Sequence, residues 1–120
     1  MAKNQVTGQA RIKISGDLLD SDGSATLEVG GVKRESVTGD YSAGAFKEST
    51  EPSKLEVTVL NKGDTQLASY RKITSETITV EFDNGQSWLI AGGYCADTIS
   101  INQSEGKAKL VFMGEPAEQL

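Results

Sequence analysis

The side chains of this protein that could take part in acid–base or nucleophilic chemistry include seventeen carboxylates and one thiol. There is no histidine, which removes the usual Ser-His-Asp and Cys-His pairs and the usual zinc ligands. Cys95 therefore has no base to activate it, and we expect it to pack as a small hydrophobic side chain. The carboxylates of Glu35, Asp40, Glu48 and Glu51 follow no spacing that would fix two at one site, as a glycosidase requires. These residues argue against an enzyme.

Ion and phosphate sites have equally little support. The run Asp20-Ser21-Asp22-Gly23 lacks the third acidic position of a calcium-binding EF-hand loop, so it predicts a plain turn. The pair Gly92-Gly93 is followed by no phosphate-binding pattern. We expect no cofactor and no metal. The net charge of −5 opposes adhesion to nucleic acid, which needs clustered Lys and Arg.

The dominant pattern along the chain is an alternation of apolar and polar residues with a period of two. Leu55, Val57 and Val59 illustrate it, separated by Glu56 and Thr58. This period is typical of antiparallel strands with one buried face. Seven such strands are predicted, over residues 11–18, 24–30, 54–60, 77–83, 87–93, 99–102 and 107–112.

Turn residues separate these runs. Asn84-Gly85 predicts a type I′ hairpin between strands 77–83 and 87–93. The 20–23 run predicts a second hairpin, between strands 11–18 and 24–30. Ser104-Glu105-Gly106 predicts a third one near the C-terminus.

One segment departs from the strand pattern. Asp64 is a good N-cap for a short helix over residues 64–72, in which Leu67 and Tyr70 would pack on the sheet. The mostly polar residues 115–120 are expected to fray. The predicted fold class is mainly β, an antiparallel β-sandwich or barrel of about seven strands with one short flanking helix. Residues 1–120 are expected to form a single domain.

The segment over residues 31–53 is too long for a hairpin turn. Connections of about twenty residues are uncommon in compact domains and are usually functional or disordered. This segment carries Tyr41 and Phe46 among its charges. We interpret it as a long loop that acts as an arm, mobile in the monomer and ordered against a partner.

No apolar run approaches the length of a membrane span, and the N-terminus lacks the apolar core of a signal peptide. A single cysteine agrees with a reducing compartment. The sequence therefore predicts a protein made in a cytoplasm, without a membrane contact.

Several motifs in fixed order resemble the tail tube proteins of Mu-like contractile-tailed bacteriophages. The resemblance spans residues 8–114. Its most specific pieces are Gly30-Gly31-Val32-Lys33-Arg34-Glu35, Gly44-Ala45-Phe46-Lys47-Glu48 and Glu56-Val57-Thr58-Val59-Leu60 followed by Asp64-Thr65-Gln66-Leu67.

The resemblance implies a structural virion protein rather than an enzyme. Six subunits would form a ring, and stacked rings would form the inner tail tube that conducts phage DNA into the host. The implied partners are other copies of the chain, the tail sheath protein, and the tape measure and baseplate proteins. The implied location is the virion tail, assembled in the host cytoplasm, and DNA would pass through the lumen without specific binding.

Two sets of residues follow as hypotheses within that family role. The arm set is expected to contact a neighbouring subunit, with Phe46 as a buried anchor. The lumen set is expected to line the channel and repel phosphates. The arm set comprises Lys33, Arg34, Glu35, Tyr41, Phe46, Lys47 and Glu48. The lumen set comprises Glu56, Thr58, Thr77, Thr79, Glu81 and Asp83.

Two alternatives remain open from the sequence. One is the tube protein of a phage-derived bacteriocin or secretion needle, which shares the fold. The other is a soluble β-sandwich that binds a ligand, which would explain the strands but not the arm.

Overall fold

A computed structural model describes residues 4–6, 8–63, 65 and 67–120, in which eleven strands and one helix occur. The strands are β1 (Ala10–Ile14), β2 (Asp17–Leu18), β3 (Thr26–Glu28), β4 (Gly31–Val37), β5 (Ala45–Glu51), β6 (Ser53–Leu60), β7 (Glu76–Phe82), β8 (Ser87–Cys95), β9 (Ser100–Asn102), β10 (Lys107–Gly114) and β11 (Glu118–Gln119), and the helix is α1 (Leu67–Arg71).

Nine of these strands form one antiparallel sheet that folds over on itself. Its order is β2-β1-β7-β8-β10-β6-β3, with β11 added to β8 and β9 added to β10. Strand β8 joins the two halves, because it pairs with β7 along most of its length and with β10 only at Tyr94 and Cys95. The end of β10 lies close to β8 because residue 114 is a glycine. A Cβ atom at that position would lie 2.7 Å from Cγ2 of Ile90. We call the half containing β1, β7 and β8 the first layer, and the half containing β3, β6 and β10 the second layer.

One hydrophobic core lies between the two layers. Strand β6 shows the predicted alternation, with Leu55, Val57 and Val59 buried and the residues between them part-exposed. Ile12 and Val80 come from the first layer and belong to the same buried cluster. The predicted mainly-β sandwich or barrel is therefore confirmed.

The short helix is also confirmed. It covers Leu67–Arg71, inside the predicted 64–72, while the predicted cap Asp64 lies outside the described residues. Leu67 and Tyr70 pack against the core, as their spacing of three predicted.

The turn between β7 and β8 has a different geometry from the predicted type I′. The loop has three residues, since the amide of Phe82 donates to the carbonyl of Gln86 and the amide of Gly85 donates to that of Phe82. Gly85 has a φ of 98°, whereas Asn84 keeps a negative φ. This is a tight turn followed by a left-handed glycine, a common three-residue hairpin, and it needs a positive φ at only one position.

The predicted hairpin at residues 20–23 is wrong. Strand β1 turns back much earlier, through Ser15 and Gly16, whose φ values are 50° and 91°. Its long partner is β7, and β3 pairs with β6 instead. Turn residues mark where a chain bends but not which strand it meets next, so the Asp-rich run alone does not identify the strands that pair around it.

The long loop predicted over residues 31–53 is also wrong. Strands β4 and β5 form a regular two-stranded ladder from Gly31↔Glu51 to Val37↔Ala45, and they pair only with each other. Every position from Val32 to Glu51 is exposed. The apolar–polar alternation that reveals a strand reflects one buried face, and this hairpin buries neither face.

Residues 115–120, predicted to fray, are held in place. Strand β11 pairs with β8, with Glu118 opposite Leu89 and Gln119 opposite Trp88. Ala117 packs against the core. Hydrogen bonds to the rest of the protein, not polarity, decide whether a terminus is ordered.

Candidate assembly surfaces

All seven residues of the arm set lie on the β4–β5 hairpin or its tip. One face of the hairpin carries an acidic residue between two cations. Glu35 lies opposite Lys47 in the ladder, and its carboxylate is 3.6 Å from Nζ of Lys47 and 3.7 Å from Nζ of Lys33. The charges of this face are therefore paired within the hairpin itself.

The other face carries a charge pair and an aromatic ring. Nε of Arg34 donates to Oε1 of Glu48 at 3.2 Å, and its guanidinium carbon is 5.9 Å from the ring centroid of Phe46. Phe46 is 58% exposed and Val32 on the same face is 55% exposed. Exposed ion pairs contribute only about 0–1 kcal/mol each. Burial of the exposed apolar groups against a partner would therefore contribute more binding free energy than the ion pairs do.

Tyr41 occupies the tip of the hairpin. It lies in the turn that is closed by a hydrogen bond from the amide of Gly39 to the carbonyl of Ser42. Its side chain is fully exposed. The arm set thus covers both faces of one projecting hairpin. Each face carries paired charges, and the tip carries the aromatic side chain of Tyr41.

The lumen set does not form one surface. Glu56 and Thr58 lie on the outer face of β6 in the second layer. Thr77, Thr79 and Glu81 lie on the outer face of β7 in the first layer. Because the inner faces of both layers pack on one core, their outer faces look away from each other. A single channel can be lined by one group only.

Both outer faces carry cations beside the candidate residues. On the second layer, Nζ of Lys54 is 3.1 Å from Glu56, and Lys109 lies opposite Thr58. The hydrogen bond from Lys54 holds the pKa of the Glu56 carboxyl below its usual value. The expectation of a wall with few cations is therefore not met by the second layer.

The first layer is similarly mixed. Arg11 lies opposite Glu81 and Lys13 lies opposite Thr79 in the β1–β7 ladder. The sixth candidate, Asp83, accepts a hydrogen bond of 2.9 Å from the amide of Gly8. That bond is the main cause of the lowered pKa of Asp83. The carboxylate therefore binds the backbone of the N-terminal segment at Gly8.

Comparison with known proteins decides the family. The profile of the phage tail tube protein family matches residues 3–119. The chain belongs to the phage tail tube protein family. It is 35% identical over 106 residues to the Mu-like prophage FluMu tail tube protein of Haemophilus influenzae, covering 88% of each chain. It is 33% identical to the tail tube protein of Escherichia phage Mu, covering 100% of this chain and 99% of the other.

The fold is shared with a much more distant protein. A chain in the cryo-EM structure of the sheath/tube terminator of the extracellular contractile injection system PVC, in its extended state, superposes with a TM-score of 0.70. The two chains are 8% identical, and the match covers 100% of this chain and 99% of the other. The resemblance to Mu-like tail tube proteins is thus confirmed, and with it a structural, non-enzymatic role. The soluble ligand-binding module is set aside.

The acidic turn over residues 20–23 has its partners within the protein. In the described residues no group of three acidic or thiol side chains is close enough to hold a metal ion. Asp22 of the 20–23 turn binds Ser24 and lies 3.2 Å from Nζ of Lys107 instead. Within the same residues, no helix has the length and apolar character needed to cross a membrane.

Sequence reasoning missed one part of the candidate assembly region, the junction between the β4–β5 hairpin and the body of the protein. Gly30, Pro52 and the fully buried Ser53 meet there. The signal was present as a glycine and a proline at equal distances from Tyr41, on either side of it.

Proposed function

We propose that six copies of this tail tube protein form a ring, that rings stack into the inner tube of a phage tail, and that the β4–β5 hairpin joins neighbouring subunits. One observation carries the proposal. The hairpin projects with both faces exposed, although an isolated two-stranded ribbon is marginally stable in water. A second copy that covers Phe46 and Val32 would remove that apolar exposure.

The paired charges on the hairpin change the mechanism from the one the sequence favoured. Lys33, Lys47 and Arg34 already have carboxylate partners in the monomer, so they need not find new ones in the ring. Their role would be to fix the orientation of the docked hairpin, while the apolar groups supply the affinity.

For the channel wall we favour the second layer, with Glu56 and Thr58. The ladder between β3 and β6 lies in this layer and leads directly into the hairpin. Wall and subunit contact would then be parts of one ribbon, and neighbouring subunits could cover the short edge strands β3 and β9. The first layer, with Thr77, Thr79, Glu81 and Asp83, would face outward, toward a sheath.

The role of the tube in DNA delivery follows from this arrangement. Phage DNA would pass along a wall of mixed charge, in which Lys54 is paired with Glu56 and is therefore less available to retain phosphates. Sheath, tape measure and baseplate proteins would be the partners, and assembly would take place in the host cytoplasm. A phage-derived bacteriocin would use the same ring and tube.

Electron microscopy of the purified protein across a concentration series tests the ring. We expect sixfold rings or hollow tubes for the full chain. A matched variant in which residues 32–50 are replaced by a two-residue turn should retain the thermal unfolding transition of the body and remain monomeric. A full chain that stays monomeric at every concentration, or a shortened one that still forms tubes, would contradict the proposal.

Chemical labelling of assembled tubes tests the wall. Thr58→Cys and Thr79→Cys would be made separately in a Cys95→Ser background and treated with a bulky maleimide polymer. We expect both to react in the monomer, and only Thr79→Cys to react in the tube. The reverse pattern would place the first layer on the channel.

A further inference from the structure

The hairpin and the second layer are one ribbon that is bent. In the β3–β6 ladder Glu28 pairs with Lys54, and in the β4–β5 ladder Gly31 pairs with Glu51. Both strands advance by three residues between these pairs, so the two ladders have the same register. The pairing is interrupted at only two levels, and we call the four residues at these levels, Val29, Gly30, Pro52 and Ser53, the joint.

The sequence of the joint explains the interruption. Pro52 has no amide hydrogen to donate to the opposite strand. Gly30 has a φ of 71°, and a Cβ atom there would lie 2.6 Å from the carbonyl carbon of Pro52. Gly31 follows with a φ of 97°. Two successive glycines in left-handed conformations would by themselves be a pivot, because they restrict the backbone little.

The C-terminal segment holds both strands of the joint. The amide of Ala117 donates to the carbonyl of Val29 at 2.8 Å, on the strand that enters the hairpin. The hydroxyl of Ser53 donates to the carbonyl of Glu115 at 2.7 Å, on the strand that leaves it. Ser53 is the one polar residue that is fully buried among the described residues.

The same segment is anchored in the other layer. The amide of Glu115 donates to the carbonyl of Ala91 at 3.1 Å, and the amide of Leu120 donates to that of Ser87 at 2.8 Å. Between them β11 pairs with β8. Residues 115–120 therefore connect the joint to the first layer, and we call them the strap.

We propose that the strap is a positioning element for assembly: by holding Val29 and Ser53, it fixes the direction in which the hairpin leaves the body. This inference rests on the proposed role of the hairpin in joining subunits. Without the strap, the two glycines leave the hairpin free to swing, and a docked orientation has to be selected from many. Ordering a mobile element on binding weakens the association.

Single-molecule energy transfer in the dilute monomer measures the direction of the hairpin without requiring assembly. Dyes would be placed at the tip, by Ser42→Cys, and on the body, by Thr77→Cys, in the Cys95→Ser background. The full chain should give one narrow distribution of transfer efficiency. A chain ending at Gly114 should give a broadened distribution while retaining the circular dichroism of the folded body.

A point variant covers the case in which the shortened chain does not fold. Ser53→Ala is nearly isosteric and removes one of the two bonds, so it should broaden the distribution in the same direction by a smaller amount. Ser49→Ala, on the exposed hairpin, is the matched control and should leave it unchanged. An unchanged width in every folded strap variant would overturn the inference.

Assembly provides the second readout. Strap variants with a mobile hairpin should require a higher protein concentration to form tubes than the full chain does. If the strap variants broaden the distribution but form tubes at the same concentration as the full chain, the strap does not position the hairpin for assembly. If the full chain forms no tubes while the broadening is observed, the proposed function fails and the structural role of the strap stands.

Discussion

Substitution of Phe46 by aspartate tests whether the hairpin supplies contact energy through its apolar groups. The ring is 58% exposed in the monomer. Of a side-chain area of about 200 Å², about 115 Å² is thus available for burial, which at about 25 cal/mol per Å² corresponds to about 3 kcal/mol per subunit. Because only part of such a gain appears in binding, we expect the critical concentration for tube formation to rise between about tenfold and a hundredfold.

The assay is sedimentation of assembled tubes over a concentration series. The free energy of unfolding of the monomer should fall by no more than the energy of the contact between the Phe46 ring and Arg34. That energy is about 0.5–1 kcal/mol at an exposed site. Phe46→Leu keeps most of the apolar area and should assemble nearly normally. Ser36→Asp introduces the same charge directly opposite Phe46 in the ladder.

Two results would refute the anchoring role of Phe46. One is a critical concentration for Phe46→Asp within about twofold of the unmodified protein, since this is less than about 0.5 kcal/mol. The other is an equal loss for Ser36→Asp, which would assign the effect to the added charge rather than to the lost ring.

Three further predictions concern the body. Phe112→Ala, at a fully buried ring, should lower the free energy of unfolding by about 3–5 kcal/mol in a urea titration. Gly114→Ala should lower it by about 1–3 kcal/mol, because the added methyl group would meet Ile90 and the adjoining backbone of β8. The hydrogen bond from Ser24 lowers the pKa of Asp22 from 3.8. Its stabilisation is thus present above pH 3.8 and lost as the pH falls through the lower folded value, so Asp22→Asn should flatten the acid limb of a stability–pH curve.

The core strands were predictable because each has one buried face. In β6 the alternation of Leu55, Val57 and Val59 with polar residues follows directly from that face. The hairpin offered no such pattern, since Val32 and Phe46 are exposed along with the charges between them. Long-range strand pairing also produced structure that local sequence signals do not indicate. The polar C-terminal residues, for example, pair with β8.

The two candidate surfaces were predictable to different degrees, because a local sequence pattern does not show where a strand lies in the fold. The unusual segment with Tyr41 and Phe46 was recognisable as a candidate contact surface without knowledge of its conformation. The lumen set could not be assigned in the same way. Alternation distinguishes the buried face of a strand from its exposed face, but it does not show on which of the two layers that exposed face lies. Glu56 and Glu81 have the same pattern in the sequence and lie on opposite layers of the protein.

The joint shows what kind of sequence signal was overlooked. Gly30 and Pro52 lie at equal distances from Tyr41, on either side of it, and in a hairpin centred on that residue they face each other. Each alone indicates only a break in local structure, and two breaks at unrelated positions would end the pairing. Opposite each other in one register, they bend a ribbon and let the pairing resume beyond them. Whether such a bend has a defined direction is then set by what binds the orphaned backbone groups, and here the carbonyl of Val29 is bound by the C-terminal segment.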